Sequence, residues 1–277
     1  DLTDGGGKIL AQASTLDPKL VAITPDDRWI TYADGDRLMA LSRDNLKQQS
    51  LTRATPGAAF SGCLAPSADR LTIYFVESSG RSWQVRAARL PSGPAQTLAE
   101  TQEPVEEVAP NPRRALVAWR SAAGSIWAAG LESSKPWKLD IPDGRALQFH
   151  WARDGQSILY LFEPADSTKL VEIREQRVDS RTDTLIAKTS QFACFAPNAN
   201  ASAFVGASRS KASPHILLLL RATQREFTLC EHGGSDPASC LPVFAPDSQF
   251  IVFTSQMHGD PAIYIAGVEK LIEKTPA

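Results

Sequence analysis

One turn recurs six times along this chain. It reads Thr24-Pro25-Asp26-Asp27 near the start and Ala245-Pro246-Asp247-Ser248 near the end. Between them lie Ala65-Pro66-Ser67, Ala109-Pro110-Asn111, Ala152-Arg153-Asp154-Gly155 and Ala196-Pro197-Asn198. The second positions of these turns, 25, 66, 110, 153, 197 and 246, are separated by 41, 44, 43, 44 and 49 residues. A period of this size means that each repeat is one supersecondary unit, and that neighbouring units bury the apolar faces no single unit can hide. Proline supplies its fixed φ to the turn, while Asp, Asn, Ser or Gly satisfies the backbone at the positions that follow.

Each turn opens into a β-rich run: Trp29 to Tyr32, Leu71 to Val76, Ala115 to Trp119, Ile158 to Phe162, Ala203 to Val205 and Phe250 to Phe253. A polar loop and a third strand follow, as in Gln84 to Leu90, Leu170 to Gln176 and Ile263 to Val268, and a shorter segment such as Phe227 to Cys230 closes most units. Helical periodicity is nowhere sustained over about ten residues. Four short strands per period is the arithmetic of a propeller blade. The expected fold is therefore all-β, a six-bladed β-propeller of four-stranded antiparallel blades; a seven-bladed ring with an atypical blade is the alternative, and two β-sandwiches the competing architecture. A single domain over 1–277 is expected, with units at roughly 14–54, 55–101, 102–142, 143–188, 189–232 and 233–277. Two places before each turn stand Ile23, Leu64, Val108, Trp151, Phe195 and Phe244, and one place before it stand only small residues. That alternation suits an innermost strand sandwiched between its neighbours. Either Lys8 to Ala13 or Lys270 to Thr275 supplies the outer strand that completes the last blade, which removes an exposed sheet edge.

Composition narrows the function. The 277 residues carry 29 Lys+Arg against 31 Asp+Glu, so no strong positive field recruits nucleic acid. Hydrophobic residues make up 43%, ample for a core. No unbroken apolar run exceeds the five residues of Ile216 to Leu220, against the roughly 20 of a membrane helix, so membrane insertion is not expected. The chain opens on Asp1 rather than Met, which suits either a removed targeting segment or a piece of a longer polypeptide. The compartment stays open, with periplasmic or secreted preferred to cytoplasmic. Cys63, Cys194, Cys230 and Cys240 form no Cys-x-x-Cys pair, so neither a zinc nor a thioredoxin-type site is expected. Cys63 and Cys194 read as small buried fillers, and Cys230 and Cys240 flank a loop that a bridge could close in an oxidising compartment. Gly5-Gly6-Gly7-Lys8 lacks the spacing of a phosphate loop and reads as a flexible entry. No Gly-x-Ser-x-Gly elbow occurs, which argues against a complete peptidase of the prolyl-oligopeptidase type.

The turn with its following apolar strand resembles the WD40-like repeat of bacterial TolB-type propellers, and this likeness covers all six units. The last unit, Phe244-Ala245-Pro246-Asp247 through His258-Gly259-Asp260-Pro261-Ala262-Ile263-Tyr264, is also similar to the closing repeat of oligogalacturonate lyases, which are manganese-dependent propeller enzymes. That second resemblance is specific over about Phe244 to Tyr264. It implies a His-Pro-His-Pro motif with a nearby glutamine as metal ligands before the last turn, where this chain has Ser239-Cys240-Leu241-Pro242, with Asp236 upstream. It implies a further ligand histidine at the position of Gln148, with His150 two places away on the same strand face. It places the catalytic histidine near Phe192. Leu241 and Phe192 offer manganese no donor atom, so a chain of lyase descent with these residues would have lost that chemistry.

Three places before the turns stand Ala22, Cys63, Glu107, His150, Cys194 and Val243. Glu107 and His150 are expected at the same level of adjacent blades, as an acid/base or ligand pair or as a polar plug in the axial channel. His232 and Asp236, in the loop after Cys230, are a weaker pair, more often solvated than metal-binding. On the loop face the expected rim includes Phe60, Arg81, Trp83, Arg120, Arg209 and Lys211, with Glu103, Glu106, Gln148, Gln256 and His258; its mixed charge suits a protein or peptide partner. The resulting candidates for a channel or ligand site are Glu107, His150, Gln148, Asp236, Ser239 and His258. No catalytic residue, metal or cofactor is assigned. The leading expectation is a monomeric, non-catalytic TolB-like propeller that binds a protein or peptide, with oligosaccharide as a further ligand class. The alternatives are a divergent oligogalacturonate-lyase-like enzyme and the sensor propeller of a larger regulatory or transport protein.

Overall fold

The structure of the protein is a computed structural model, and it describes residues 17–132, 135–189, 191–234, 236–268 and 271. Two compact units divide the chain at Lys138/Leu139. The first holds three antiparallel sheets: Val21–Ile23, Trp29–Asp34, Arg37–Ser42 and Gln48–Arg53; then Ala59–Pro66, Thr72–Ser79, Ser82–Arg89 and Gln96–Thr101; then Val105–Pro110, Leu116–Ser121, Ile126–Gly130 and Trp137–Lys138. The second holds Gly144–Trp151, Ser157–Pro164, Val171–Arg177 and Asp183–Thr189; then Phe192–Pro197, Ala203–Ser208, His215–Leu220 and Arg225–Glu231; then the three strands Val243–Phe244, Phe250–Ser255 and Ala262–Gly267. Within every sheet, consecutive strands pair as an antiparallel meander. The fold class is the all-β, six-bladed β-propeller that the repeat implies. Lys8 to Ala13 lies outside the described residues. So does most of Lys270 to Thr275; Leu271 sits in a helical turn, donating its N–H to Val268 O at 2.9 Å.

The blades pack because their second strands are apolar on both faces. Ile73 and Phe75 turn toward Leu38, Phe60 and Leu64, whereas Tyr74 and Val76 turn toward Val108, Val117 and Trp119. In the other unit Phe204 and Leu219 face Leu159, Leu161 and Phe195, while Val205 and Leu218 face Ile251 and Phe253. A strand buried on both faces loses polar alternation and reads as an unbroken apolar run, as in Ile158 to Phe162 and Ile216 to Leu220. Each such side chain contributes on the order of 1.5–3 kcal/mol of burial.

The backbone states the repeat more sharply than the side chains. The first residue of each turn donates its N–H to the carbonyl five residues on: Thr24 to Trp29, Ser67 to Thr72, Asn111 to Leu116, Ala152 to Ser157, Asn198 to Ala203 and Ala245 to Phe250, all at 2.8–2.9 Å. In five units the carboxylate or amide two places on, Asp26, Asp69, Asp154, Asn200 or Asp247, accepts the N–H two residues further along. The residue between, Asp27, Arg70, Gly155, Ala201 or Ser248, is left-handed, with φ of 54–69°. This side-chain bond is what lets non-glycine residues hold that conformation.

These bonds correct the turn alignment in three units. Pro66, Pro110 and Pro197 are the last residues of inner strands, and the turns begin one residue later, at Ser67, Asn111 and Asn198. In the other three the turn begins at Thr24, Ala152 and Ala245, one place before Pro25, Arg153 and Pro246. The equivalent strand-ending positions are therefore Ile23, Pro66, Pro110, Trp151, Pro197 and Phe244, each paired with the residue seven places on. Gln148, not His150, is the repeat equivalent of Cys63, Glu107 and Cys194.

Candidate functional site

Three of these equivalent residues share a local device. One extra residue bulges from the inner strand directly before each: Glu106 before Glu107, Leu147 before Gln148, and Ala193 before Cys194. A bulge twists its strand and re-aims the side chain beside it. In the second unit the outcome is a two-sided clasp on one residue of the next blade. Gln148 Oε1 accepts the Phe195 N–H at 2.8 Å, and His150 Nε2–H donates to the Phe195 carbonyl at 2.8 Å. The carbonyl can only accept, which sets the proton on Nε2. The imidazole stands edge-on to the Phe195 ring, with centroids 5.0 Å apart. Burial pushes the His150 pKa down, and the bond to Phe195 O only partly offsets it.

Glu107 answers to a different partner. Arg120, opposite it on the neighbouring strand, places Nε 3.3 Å from Glu107 Oε2 and Nη1 2.8 Å from Glu106 Oε2. Cys63 reaches its next blade as well, donating to Val108 O at 3.7 Å; burial raises its pKa, and Glu107 adds to that rise.

Asp236 and Ser239 are brought together by a single helical turn, Pro237–Cys240. Asp236 caps it, Oδ1 accepting from the Ala238 N–H at 3.1 Å, and its carbonyl accepts the Ser239 hydroxyl at 2.7 Å. His232 departs from the solvated reading. It is 1% exposed, with Nε2–H donating to Ser208 O and Nδ1 accepting the Gly234 N–H. The signal for this was Gly233-Gly234: Gly233 has a φ of +58°, and a Cβ there would meet Met257 backbone at 2.8 Å.

His258 is exposed at the loop before Ala262–Gly267. Its Nδ1 shares a hydrogen bond of 2.5 Å with the Tyr264 hydroxyl; the two rings stack, and Tyr264 stacks in turn on Phe253. Of the expected rim, Phe60 is instead buried against Phe75, and Arg209 reaches inward to Phe192 O while pairing with Glu163. Phe192 itself is fully buried.

A polar network that sequence reasoning passed over lies in the fourth sheet. Arg174 Nε donates to Asp183 at 2.8 Å, Nη1 meets Glu172, and the Tyr160 hydroxyl donates to Asp183; burial, with that bond adding to it, raises the tyrosine pKa. These residues alternate along strands with apolar neighbours, so nothing in their spacing marks them. Among the described residues no three His, Cys, Asp or Glu side chains converge in an arrangement able to hold a metal ion. Among them, too, no helix is long and apolar enough to cross a membrane.

Six antiparallel meander sheets, joined by turns that repeat bond for bond, define a propeller. Solved structures with the same fold include an oligogalacturonate lyase in complex with manganese, with a TM-score of 0.85 and 16% identity over 96% of this chain and 80% of that one. The oligogalacturonate lyase of Vibrio parahaemolyticus matches at 0.84, with 16% identity over 95% and 80% of the two chains. TolB of Acinetobacter baumannii matches at 0.61, with 12% identity over 90% of this chain and 60% of that one. No protein-family model matches the chain. No curated protein matches it in sequence.

Proposed function

We propose that this chain is a non-catalytic β-propeller, one domain over 1–277, that serves as a binding module for a protein or peptide partner in a periplasmic or secreted setting. The observation that carries this reading is the distribution of exposed apolar surface. Leu241, Val243, Phe250, Met257, Ile263 and Ile265, all in or beside the last sheet, make up six of the eleven exposed large hydrophobic side chains among the described residues. Ile263 and Ile265 are 73% and 69% exposed. Scattered exposed apolar residues are ordinary, whereas a concentration on one element marks a surface that another segment or a partner covers.

The chemistry of the candidate polar residues supports the same conclusion. Gln148 and His150 hold Phe195, Glu107 holds Arg120, and Asp236 and Ser239 hold a helical turn. The residues present do not fit a manganese site of the lyase kind. Leu241 and Phe192 have no donor atoms, and the Gln148 oxygen is already engaged.

A second reading, a divergent sugar-acid lyase, is favoured by the fold match to an oligogalacturonate lyase over 96% of the chain. One experiment separates the two. The full chain is incubated with oligogalacturonides, with and without manganese, and the ultraviolet absorbance of an unsaturated product is followed. The expected result is no turnover at high protein concentration. In parallel, peptides enriched on the wild-type chain from a displayed library are expected to lose binding to an Ile263→Lys/Ile265→Lys variant. Turnover by the wild-type chain would overturn the binding reading in favour of the lyase, and peptides indifferent to both lysines would move the binding surface elsewhere.

A further inference from the structure

The short helix Pro237–Cys240 packs against the strands Phe192–Pro197 and Ala203–Ser208, and it brings together two thiols that are 46 positions apart in the sequence. Cys194 Sγ donates to Pro237 O at 3.6 Å, and Cys240 Sγ donates to Asp236 O at 3.8 Å. Those two carbonyls belong to consecutive residues. Cys194 also lies against the backbone N–H of Leu241, the residue bonded to Cys240. Both side chains are buried in one apolar cluster, at 4% and 2% exposure. Cys230, the partner that chain proximity suggests for Cys240, lies on the outer strand Arg225–Glu231, half-buried at the margin of the same cluster.

We infer that Cys194 and Cys240, rather than Cys230 and Cys240, are the disulfide-forming pair of this protein, closed during folding in an oxidising medium. All four cysteines are free in this structure. With glutathione disulfide as oxidant, one protein thiolate attacks a glutathione sulfur, forming a mixed disulfide and releasing one glutathione. The second protein thiolate attacks the protein sulfur of that mixed disulfide, forming the Cys194–Cys240 bond and releasing the second glutathione. Two electrons pass from the protein thiols to the glutathione disulfide, and their protons leave on the two glutathione thiols. Closure belongs to folding because both thiols are closed off from solvent once the chain is folded. Burial, with Cys240 adding to it, pushes the Cys194 thiol up to about 11, and burial raises Cys240 as well. The bond would anchor the segment where Leu241 adopts a left-handed backbone, φ 42° and ψ 55°, a conformation that favours glycine.

The test is oxidative refolding. The full chain is unfolded, reduced, refolded in a glutathione redox buffer, then denatured and alkylated with a maleimide. The expected result is loss of two of the four alkylation sites. Trypsin leaves Cys230 and Cys240 on one peptide, so a second protease that cuts after Glu231 is needed to separate them. Mass spectrometry should then find the peptide of Cys194 joined to that of Cys240. Cys230→Ser should leave the loss at two, whereas Cys240→Ser should restore the Cys194 site. Alkylation at all four cysteines, a Cys230–Cys240 link, or links between chains would each overturn the assignment. Because the mapping is made on the wild-type chain, it stands even if Cys240→Ser does not fold.

Discussion

The clasp on Phe195 makes the sharpest demand on this structure. Phe195 is 1% exposed, so its N–H has no water to replace the Gln148 oxygen that accepts it at 2.8 Å. Gln148→Met keeps the length of the side chain and removes the acceptor. A buried donor left without a partner costs about 1–3 kcal/mol, more than the net 0.5–1.5 kcal/mol of an ordinary hydrogen bond. At about 1.4 kcal/mol per tenfold, the Phe195 amide should exchange its hydrogen roughly 5- to 150-fold faster in the variant. The assay is native-state hydrogen exchange, read residue by residue by NMR or on peptides spanning 192–197. A double cycle with His150→Phe should show coupling of at least about 0.5 kcal/mol, because both side chains hold the same residue's N–H and carbonyl. An exchange rate for Phe195 within twofold of wild type, in a variant that otherwise folds normally, would refute the clasp and with it the assignment of Gln148 to structure.

Other expected outcomes follow from single contacts. The folded pKa of His150 lies below the 6.5 of an unperturbed imidazole, so as pH falls through 6.5 the unfolded chain takes up a proton that the folded one refuses. Stability should therefore fall below about pH 6.5, and urea midpoints of His150→Phe should lose that part of the slope. Gly206→Ala would place a methyl 2.6 Å from both Cys194 O and the Phe192 ring, and should lower stability by roughly 1–3 kcal/mol or more in urea denaturation. Asp154→Ala removes the bond that the Gln156 N–H donates at 2.9 Å, and should cost about 1 kcal/mol by the same measurement. Ile263→Lys, on an open face, should change stability by less than about 0.5 kcal/mol; a larger loss would show that a covered surface had been read as exposed.

How the repeat could be read so fully, and misaligned in half of its units, has one explanation. Strand-forming stretches such as Leu71 to Val76 and Ile158 to Phe162 fall almost wholly within the strands Thr72–Ser79 and Ser157–Pro164, because a strand buried on both faces has few ways to be written. Proline, however, fits two places at the strand-to-turn junction. It can end the inner strand, as Pro66, Pro110 and Pro197 do, or sit inside the turn, as Pro25 and Pro246 do. The shift between the two is two residues, which on a strand returns every side chain to the same face. Large and small residues therefore alternate in most units under either alignment, with His150 and Val243 the exceptions at the small position once the turns are aligned, so that test detects the slip only weakly. The informative mark was the Asp or Asn that accepts a backbone N–H two residues on, since its bond sets the turn by geometry rather than by pattern.

The candidate site was harder to read because its residues act through partners that chain order does not announce, Gln148 and His150 through the next blade and Glu107 through the adjacent strand of its own. His150 and Glu107 were visible as polar residues near a blade's inner strand, but their partners, Phe195 and Arg120, lie 45 and 13 positions further along the chain. The Phe195 contact is with backbone atoms, which carry no sequence signature at all. Bulges at Leu147 and Ala193 leave no mark either, because an extra residue in a strand looks like any other residue until the register is known. In a chain built this way, a polar side chain on an inner strand is first a tie to a neighbouring strand, of its own sheet for Glu107 or of the next for Gln148 and His150. Ligand chemistry has to be sought where such ties are not needed. The last sheet meets that condition with exposed Ile263 and Ile265 beside the stacked His258 and Tyr264, and the binding reading stands or falls there.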